Sequence, residues 1–309
     1  MKPIRIALAL LLFAASHTVA LPEPVTPLAA PTTAAAYLRC LDAAAVTVVS
    51  AHRGGPEPGF PENAIETFAN TLRYGPFILE VDVRRTADGV YVLMHDETLD
   101  RTTTGHGRLD QTRWATLQDY RLVDNDGTVT DFRVPSLLEA LQWAKGRTLL
   151  QLDVKDDVNI TALTRFVASA GARDRAALVA YTMDDALAAA AADPAVSLSV
   201  EIDDQATLSA LIEGGLSKDR LIAWTGVSET PRPALWALLE AEGVPAAFGA
   251  LWHIDSAVAE RGNPIIYADL AEAGVDLLAT DFHRLAADAI RKLADPRPAI
   301  EACTNEPGA

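Results

Sequence analysis

Two acidic residues stand two apart in an apolar run, Glu80-Val81-Asp82 between Phe77 and Val83, and in an extended segment that spacing puts both side chains on one face. Burying such a pair uncompensated costs several kcal/mol, so the pattern calls for a hard divalent cation, Mg²⁺ or Ca²⁺, between the carboxylates. The blander reading is an edge strand with solvated acids. Asp153-Val154-Lys155 repeats the spacing. Asp153 can supply a third oxygen ligand, with Lys155 close by as a point charge for a phosphate oxygen, although alone the two would be an ordinary ion pair. His52, within Ser50-Ala51-His52-Arg53-Gly54-Gly55, and His95, within Val92-Leu93-Met94-His95-Asp96, are the candidate proton-transfer groups. A lone histidine at a strand end is more often structural, and Arg53 alone is as easily a surface charge. Two histidines with a metal between them suit acid and base roles on opposite sides of a phosphorus centre. His106, His253 and His283 sit in no such pattern and are expected to be surface or structural residues.

Positioning groups so far apart in sequence requires a scaffold that gathers strand ends. Short β-branched or aliphatic runs alternate with amphipathic stretches, the pattern of repeated β-α units. Strands are expected near 47–52, 77–84, 148–155, 177–182, 196–202, 221–225, 245–252 and 276–281. Eight such strands predict a closed (β/α)8 TIM barrel, whose chemistry gathers where the strands end. The Gly54-Gly55 pair is not the glycine fingerprint of a doubly wound dinucleotide-binding sheet. The stretch 86–143 breaks the rhythm and is expected to be an insertion after the second strand. Asp88-Gly89 predicts a hairpin there that carries His95 back beside the barrel mouth. Ser136 is expected to cap the helix that restarts the barrel, and Asn63, three residues before Glu66, is expected to cap another. Leu251, Trp252 and Phe282 are expected to be buried, with a lip at the mouth as their alternative.

Residues 1–20 carry Lys2 and Arg5, an apolar stretch over 6–15 and Thr18-Val19-Ala20, the pattern of a cleaved secretory signal; the apolar stretch is shorter than the roughly 20 residues a spanning helix needs. Residues 21–45 are expected to form a leader and a short helix, and 46–309 a single barrel domain in an exported, periplasmic or secreted protein without stable membrane insertion. The net charge of -16 disfavours nucleic acid and anionic membranes as partners, and it means that an anionic substrate needs a local cation to hold it. The only cysteines, Cys40 and Cys303, lie near opposite ends of the mature chain. Barrel closure brings first and last strands together, so a disulfide between them is expected, with a stabilisation of roughly 3 to 5 kcal/mol in the chain-entropy model.

In order and spacing, His52-Arg53-Gly54, Pro61-Glu62-Asn63, Glu80-Val81-Asp82, His95-Asp96 and Arg101-Thr102-Thr103 resemble the glycerophosphodiester phosphodiesterase family, and Gly274-Val275-Asp276 with Thr280-Asp281 resembles its last strand. The resemblance covers mainly 52–155. It implies a TIM barrel with an insertion after the second strand and one divalent cation held by Glu80, Asp82 and Asp153. It further implies His52 and His95 as general acid and base, and Arg53 and Lys155 as phosphate contacts. The family commonly has Glu where this chain has Asp153, a shorter carboxylate that leaves the choice of Ca²⁺ or Mg²⁺ open. The implied substrate is a small glycerophosphodiester, cleaved to an alcohol and sn-glycerol 3-phosphate. Phospholipase-type cleavage of intact lipids and non-catalytic binding of a phosphorylated polyol are the alternatives. A glycosidase is weaker, because carboxylates two apart on one strand do not flank a sugar.

Overall fold

The computed structural model describes residues 33–305; the expected signal, 1–20, and most of the leader lie outside the described residues. Among the described residues nine strands form one sheet: β1 (Val48–Ala51), β2 (Phe77–Arg85), β3 (Tyr91–Leu93), β4 (Leu150–Val154), β5 (Ala176–Ala180), β6 (Ser197–Glu201), β7 (Leu221–Val227), β8 (Ala246–Gly249) and β9 (Leu277–Thr280). Eight of them, all but β3, run parallel, and the pairing of β1 with both β2 and β9 closes the ring. Helices follow the ring strands, and those over Ile160–Ser169, Met183–Ala192 and Gln205–Glu213 begin at the side-chain caps of Asn159, Thr182 and Asp204. The eight expected strands are all present. The stretch expected at 245–252 ends early, at Gly249, where the chain turns outward and Trp252 takes a left-handed φ of 62°.

The register does the first part of the site's work. Ala51 pairs with Leu79 on one side and with Thr280 on the other, so His52 emerges beside Glu80 and beside Asp281. Across β2 and β4, Asp82 lies opposite Asp153. Because β2 is an interior strand of the ring, the edge-strand reading of its two acids does not hold. β3 returns antiparallel to β2 after the Asp88-Gly89 turn, with Val83 opposite Leu93, and delivers His95 to the carboxyl side of the ring. The insertion has its own small core around Val92, Met94, Leu99, Leu117 and Leu122. Ser136 caps the helix Leu137–Ala144 in a capping box with Glu139, as expected.

The amino ends of the strands are closed by the helices Ala34–Ala43 and Arg297–Asn305: Tyr37, Leu38, Leu41 and Ile300 pack on Val48, Ile78, Leu149, Ile222 and Leu277. A disulfide joins the two helices, Cys40 to Cys303, with Cα atoms 5.8 Å apart and 263 residues of separation. Reduction, or a Cys40→Ala change with Cys303→Ala, is expected to lower stability by about 3 to 5 kcal/mol. Turnover should persist under native conditions, since the bond lies at the opposite end of the barrel from His52. Urea unfolding of oxidised and reduced protein checks this; coincident midpoints would mean that the cross-link contributes nothing.

Candidate active site at the carboxyl ends of the strands

A cavity of ≈ 400 Å³ opens at the carboxyl mouth, and His52, Arg53, Glu80, His95, Asp153 and Lys155 all line it. Six of the seven expected site residues therefore meet in one space, and Asp82 lies just beneath, 1% exposed.

His52 opens a tight turn in which Arg53 adopts φ 51° and Gly54 and Gly55 follow at φ 82° and 80°. A left-handed arginine is unusual and strained, of the kind tolerated where function fixes the backbone. The glycine at 54 is required, because a Cβ there would lie 2.2 Å from the Phe68 ring. The turn aims the Arg53 N–H at Glu80 Oε2, 2.8 Å away. The guanidinium donates to both oxygens of Glu62 at 3.2 and 3.0 Å, and its Nε stands 3.7 Å from Asp82, with no hydrogen-bond partner among the described residues.

Each histidine is tied to its own carboxylate. His52 Nδ1 lies 2.7 Å from Asp281 Oδ1, and His95 Nδ1 lies 2.7 Å from Asp96 Oδ1. Burial disfavours a charged His52, but the Asp281 hydrogen bond and the Glu80 charge outweigh it and raise its pKa above the ordinary value. Asp96 is gripped by Arg101 through Nε and Nη2, at 2.7 and 2.9 Å, which holds its carboxyl well below the usual carboxylate range. Arg101 also donates to both oxygens of buried Glu62, at 2.9 and 2.8 Å. Glu62 thus bridges two arginines and links the His52 turn to the His95 loop.

Ligand oxygens of Glu80, Asp82 and Asp153 lie within 4.8 Å of one another. Burial, and next the charge of Asp82, push Glu80 up to about 8. Burial opposes ionisation of Asp82 as well, yet Lys155, Asn63 and Arg53 prevail and hold it below its ordinary value. Lys155 Nζ bridges Asp82 Oδ1 at 2.7 Å and Asp153 Oδ2 at 2.6 Å, while the Tyr181 hydroxyl donates to Asp153 Oδ1 at 2.6 Å. Among the described residues, buried Glu80 Oε1 has no hydrogen-bond partner. Three converging carboxylates, with Lys155 as their close counter-charge and, among the described residues, neither an ion-pair nor a hydrogen-bond partner for buried Glu80 Oε1, fit an oxygen-seeking divalent cation.

Several residues depart from the expectations above. Asn63 is not the helix cap: Ala64 takes the cap position of the helix Ile65–Thr71. Asn63, at φ 58°, donates Nδ2–H to Asp82 Oδ2 at 2.7 Å and accepts the Asp82 N–H at 3.0 Å. Asparagine tolerates the left-handed region, and its amide matches both groups at once. Trp252 is 63% exposed on the cavity rim instead of buried, whereas Leu251 is buried and Phe282 half-buried. Glu62, Asn63, Arg101, Tyr181 and Asp281 join the site beyond the seven expected residues. The first three and Asp281 fall in the quoted motif strings; Tyr181, after β5, carries no local signal. His106 and His253 are exposed, and His283 is buried at 2%, where desolvation pushes its imidazole down to about 4.

Fold and site together define a (β/α)8-barrel protein with a cation-ready carboxylate cluster and two carboxylate-tethered histidines at its carboxyl mouth. Residues 52–179 match the model of the glycerophosphoryl diester phosphodiesterase family. The crystal structure of a glycerophosphoryl diester phosphodiesterase from Parabacteroides distasonis aligns with a TM-score of 0.76 and 31% identity, over 80% of this chain and 87% of that one. An Oleispira antarctica phosphodiesterase, solved with the product sn-glycerol-3-phosphate, aligns with a TM-score of 0.61 and 20% identity over 81% of this chain and 99% of that one, a likeness of fold. Glycerophosphodiester phosphodiesterase 1 of Bos taurus is 38% identical over 109 residues, 34% of this chain and 33% of that protein. The chain belongs to the glycerophosphoryl diester phosphodiesterase family. It spans less than half the length of the curated relatives it resembles, 47% of a Bacillus subtilis protein and 33% of the Bos taurus one among them.

Proposed function

We propose that the protein hydrolyses small glycerophosphodiesters to an alcohol and sn-glycerol 3-phosphate, with His52 and His95 as the proton-transfer pair. The observation that carries this reading is the meeting of both histidines and the carboxylate cluster in one cavity, each histidine with Nδ1 held by a carboxylate. A neutral imidazole that donates Nδ1–H to an aspartate keeps Nε2 as an acceptor, the form a general base needs, and the same pairing steadies the imidazolium of a general acid. One histidine takes the proton of the attacking oxygen, from water or from the neighbouring glycerol hydroxyl by way of a cyclic phosphate. The other returns a proton to the leaving alcohol.

A divalent cation, Ca²⁺ or Mg²⁺, held by Glu80, Asp82 and Asp153, would supply positive charge to the phosphate oxygens. Lys155, already between two of these carboxylates, and Arg53, with an unpartnered Nε facing them, add fixed charge from the chain. The disulfide supports export to an oxidising compartment, periplasmic or extracellular. The exposed Trp252 rim favours a second reading, cleavage of intact lipids.

Release of glycerol 3-phosphate from glycerophosphocholine tests the first reading: purified protein should act, lose activity in EDTA and regain it with Ca²⁺ or Mg²⁺. Turnover of phosphatidylcholine vesicles with none of the small diester would select the second. Activity on neither, under any metal, would count against both.

A further inference from the structure

Asp255, in the first turn of the helix Ile254–Arg261, is a carboxylate 3% exposed and is not among the residues that meet in the cavity. Its three partners are all donors. The Tyr267 and Thr280 hydroxyls donate to Oδ1 at 2.8 and 2.7 Å, and the Asp281 N–H donates to Oδ2 at 2.7 Å. Among the described residues, no lysine, arginine or histidine forms an ion pair with it. Three donors that converge on one buried carboxyl call for a group that presents acceptor oxygens at both positions.

Its position gives it a use. Thr280 Oγ1 accepts the Phe282 N–H at 2.9 Å while its own proton goes to Asp255, so the backbone over 280–282 is fixed from both sides of Asp281. The Asp281 side chain is 44% exposed and leaves the end of β9 toward solvent, where it would otherwise sample several rotamers. It meets His52 Nδ1 at 2.7 Å from a backbone pinned by Asp255.

We infer that Asp255 is a positioning residue that acts through Asp281 to fix the orientation of His52. The inference rests on the proton-transfer reading of His52 given above. An Asp255→Asn side chain keeps the volume, but its NH₂ group must face at least one of the three donors, which displaces the 280–282 turn. Misplacing a catalytic group by an ångström can cost on the order of a hundredfold. Asp255→Asn is therefore expected to lower kcat by about tenfold to a hundredfold with KM within about twofold. Tyr267→Phe, which removes one donor and leaves the other two, should give a smaller loss with the same split. In an Asp281→Asn background, Asp255→Asn should add less than about threefold, because residues acting in series do not add. The His52 Nδ1–H proton resonance should also shift in Asp255→Asn and in Tyr267→Phe.

A structural role alone would leave that resonance in place and would multiply with Asp281→Asn. Either result, or wild-type kcat in both folded variants, overturns the inference; if Asp255→Asn fails to fold, Tyr267→Phe decides through its kcat and the His52 resonance. A fully active His52→Ala would overturn the proton-transfer reading itself, whereas an inactive His52→Ala beside an unaffected Asp255→Asn would overturn only the role of Asp255.

Discussion

His52→Ala and His95→Ala are each expected to lower kcat for a glycerophosphodiester by about 10²- to 10⁴-fold, the usual contribution of a positioned acid or base. The folded state should survive both changes. His95 is 36% exposed and its partner Asp96 keeps two bonds from Arg101; Asp281 is 44% exposed and can be hydrated once His52 is gone. The two variants can be told apart with a glycerophosphodiester of p-nitrophenol, whose leaving group needs no proton. Loss of the general acid should be largely rescued by that substrate, and loss of the general base should not. The double variant should fall little further than the worse single variant, because the two act in one reaction coordinate. If both single variants keep kcat within about threefold of wild type on the natural diester, neither histidine moves a proton in the rate-limiting step.

How much of this was legible beforehand follows from the range over which each signal acts. The barrel was legible because its strands are continuous apolar runs, and the Glu80/Asp82 pair because a period of two is a property of one strand. His95 followed from a local turn, Asp88-Gly89, that reverses the chain beside β2. The supporting partners were not legible in the same way. The bond of Asp281 to His52 spans 229 positions and depends on β9 closing onto β1, and that of Tyr181 to Asp153 needs the register of β4 against β5. Asn63 misled because its type and its distance from Glu66 match a capping pattern. Its amide has a better use at Asp82, and a backbone N–H at a helix start can be left to water, which a buried carboxylate cannot. Trp252 departs from its expected burial for a related reason: its hydrophobicity argues for burial, while the left-handed turn after β8 directs it outward.

Glu80→Gln and Asp82→Asn should each abolish metal-dependent turnover, by about 10³-fold or more if the cation provides the main stabilisation of phosphate charge. Their effects on the metal-free protein should differ, and that difference tests the charge arrangement independently of catalysis. Glu80 is a poorly compensated member of the cluster: among the described residues Oε1 has no hydrogen-bond partner, and burial first, then the charges of Asp82 and Asp153, oppose its ionisation. Gln is neutral, as is the protonated acid that burial favours, and it keeps an oxygen that can accept the Arg53 N–H, so the metal-free Glu80→Gln protein should melt no lower than wild type. Asp82 is the opposite case. It is 1% exposed and matched by Lys155 and Asn63; with Asn in its place, Lys155 keeps Asp153 as its only charged partner, and the buried amide NH₂ must face either Lys155 Nζ or Asn63 Nδ2, donor against donor. Breaking one side of a buried pair typically costs about 3 to 5 kcal/mol, so metal-free Asp82→Asn should melt well below wild type. Wild type should gain about 2.7 kcal/mol from cation at 100 times its Kd, and at the same cation concentration both variants should lose most of that increment. Melting curves of the three proteins in EDTA and in Ca²⁺ or Mg²⁺ measure all of this. Equal melting in EDTA would mean that the two carboxylates are balanced alike, and the absence of any cation-dependent rise in wild type would remove the metal from this site.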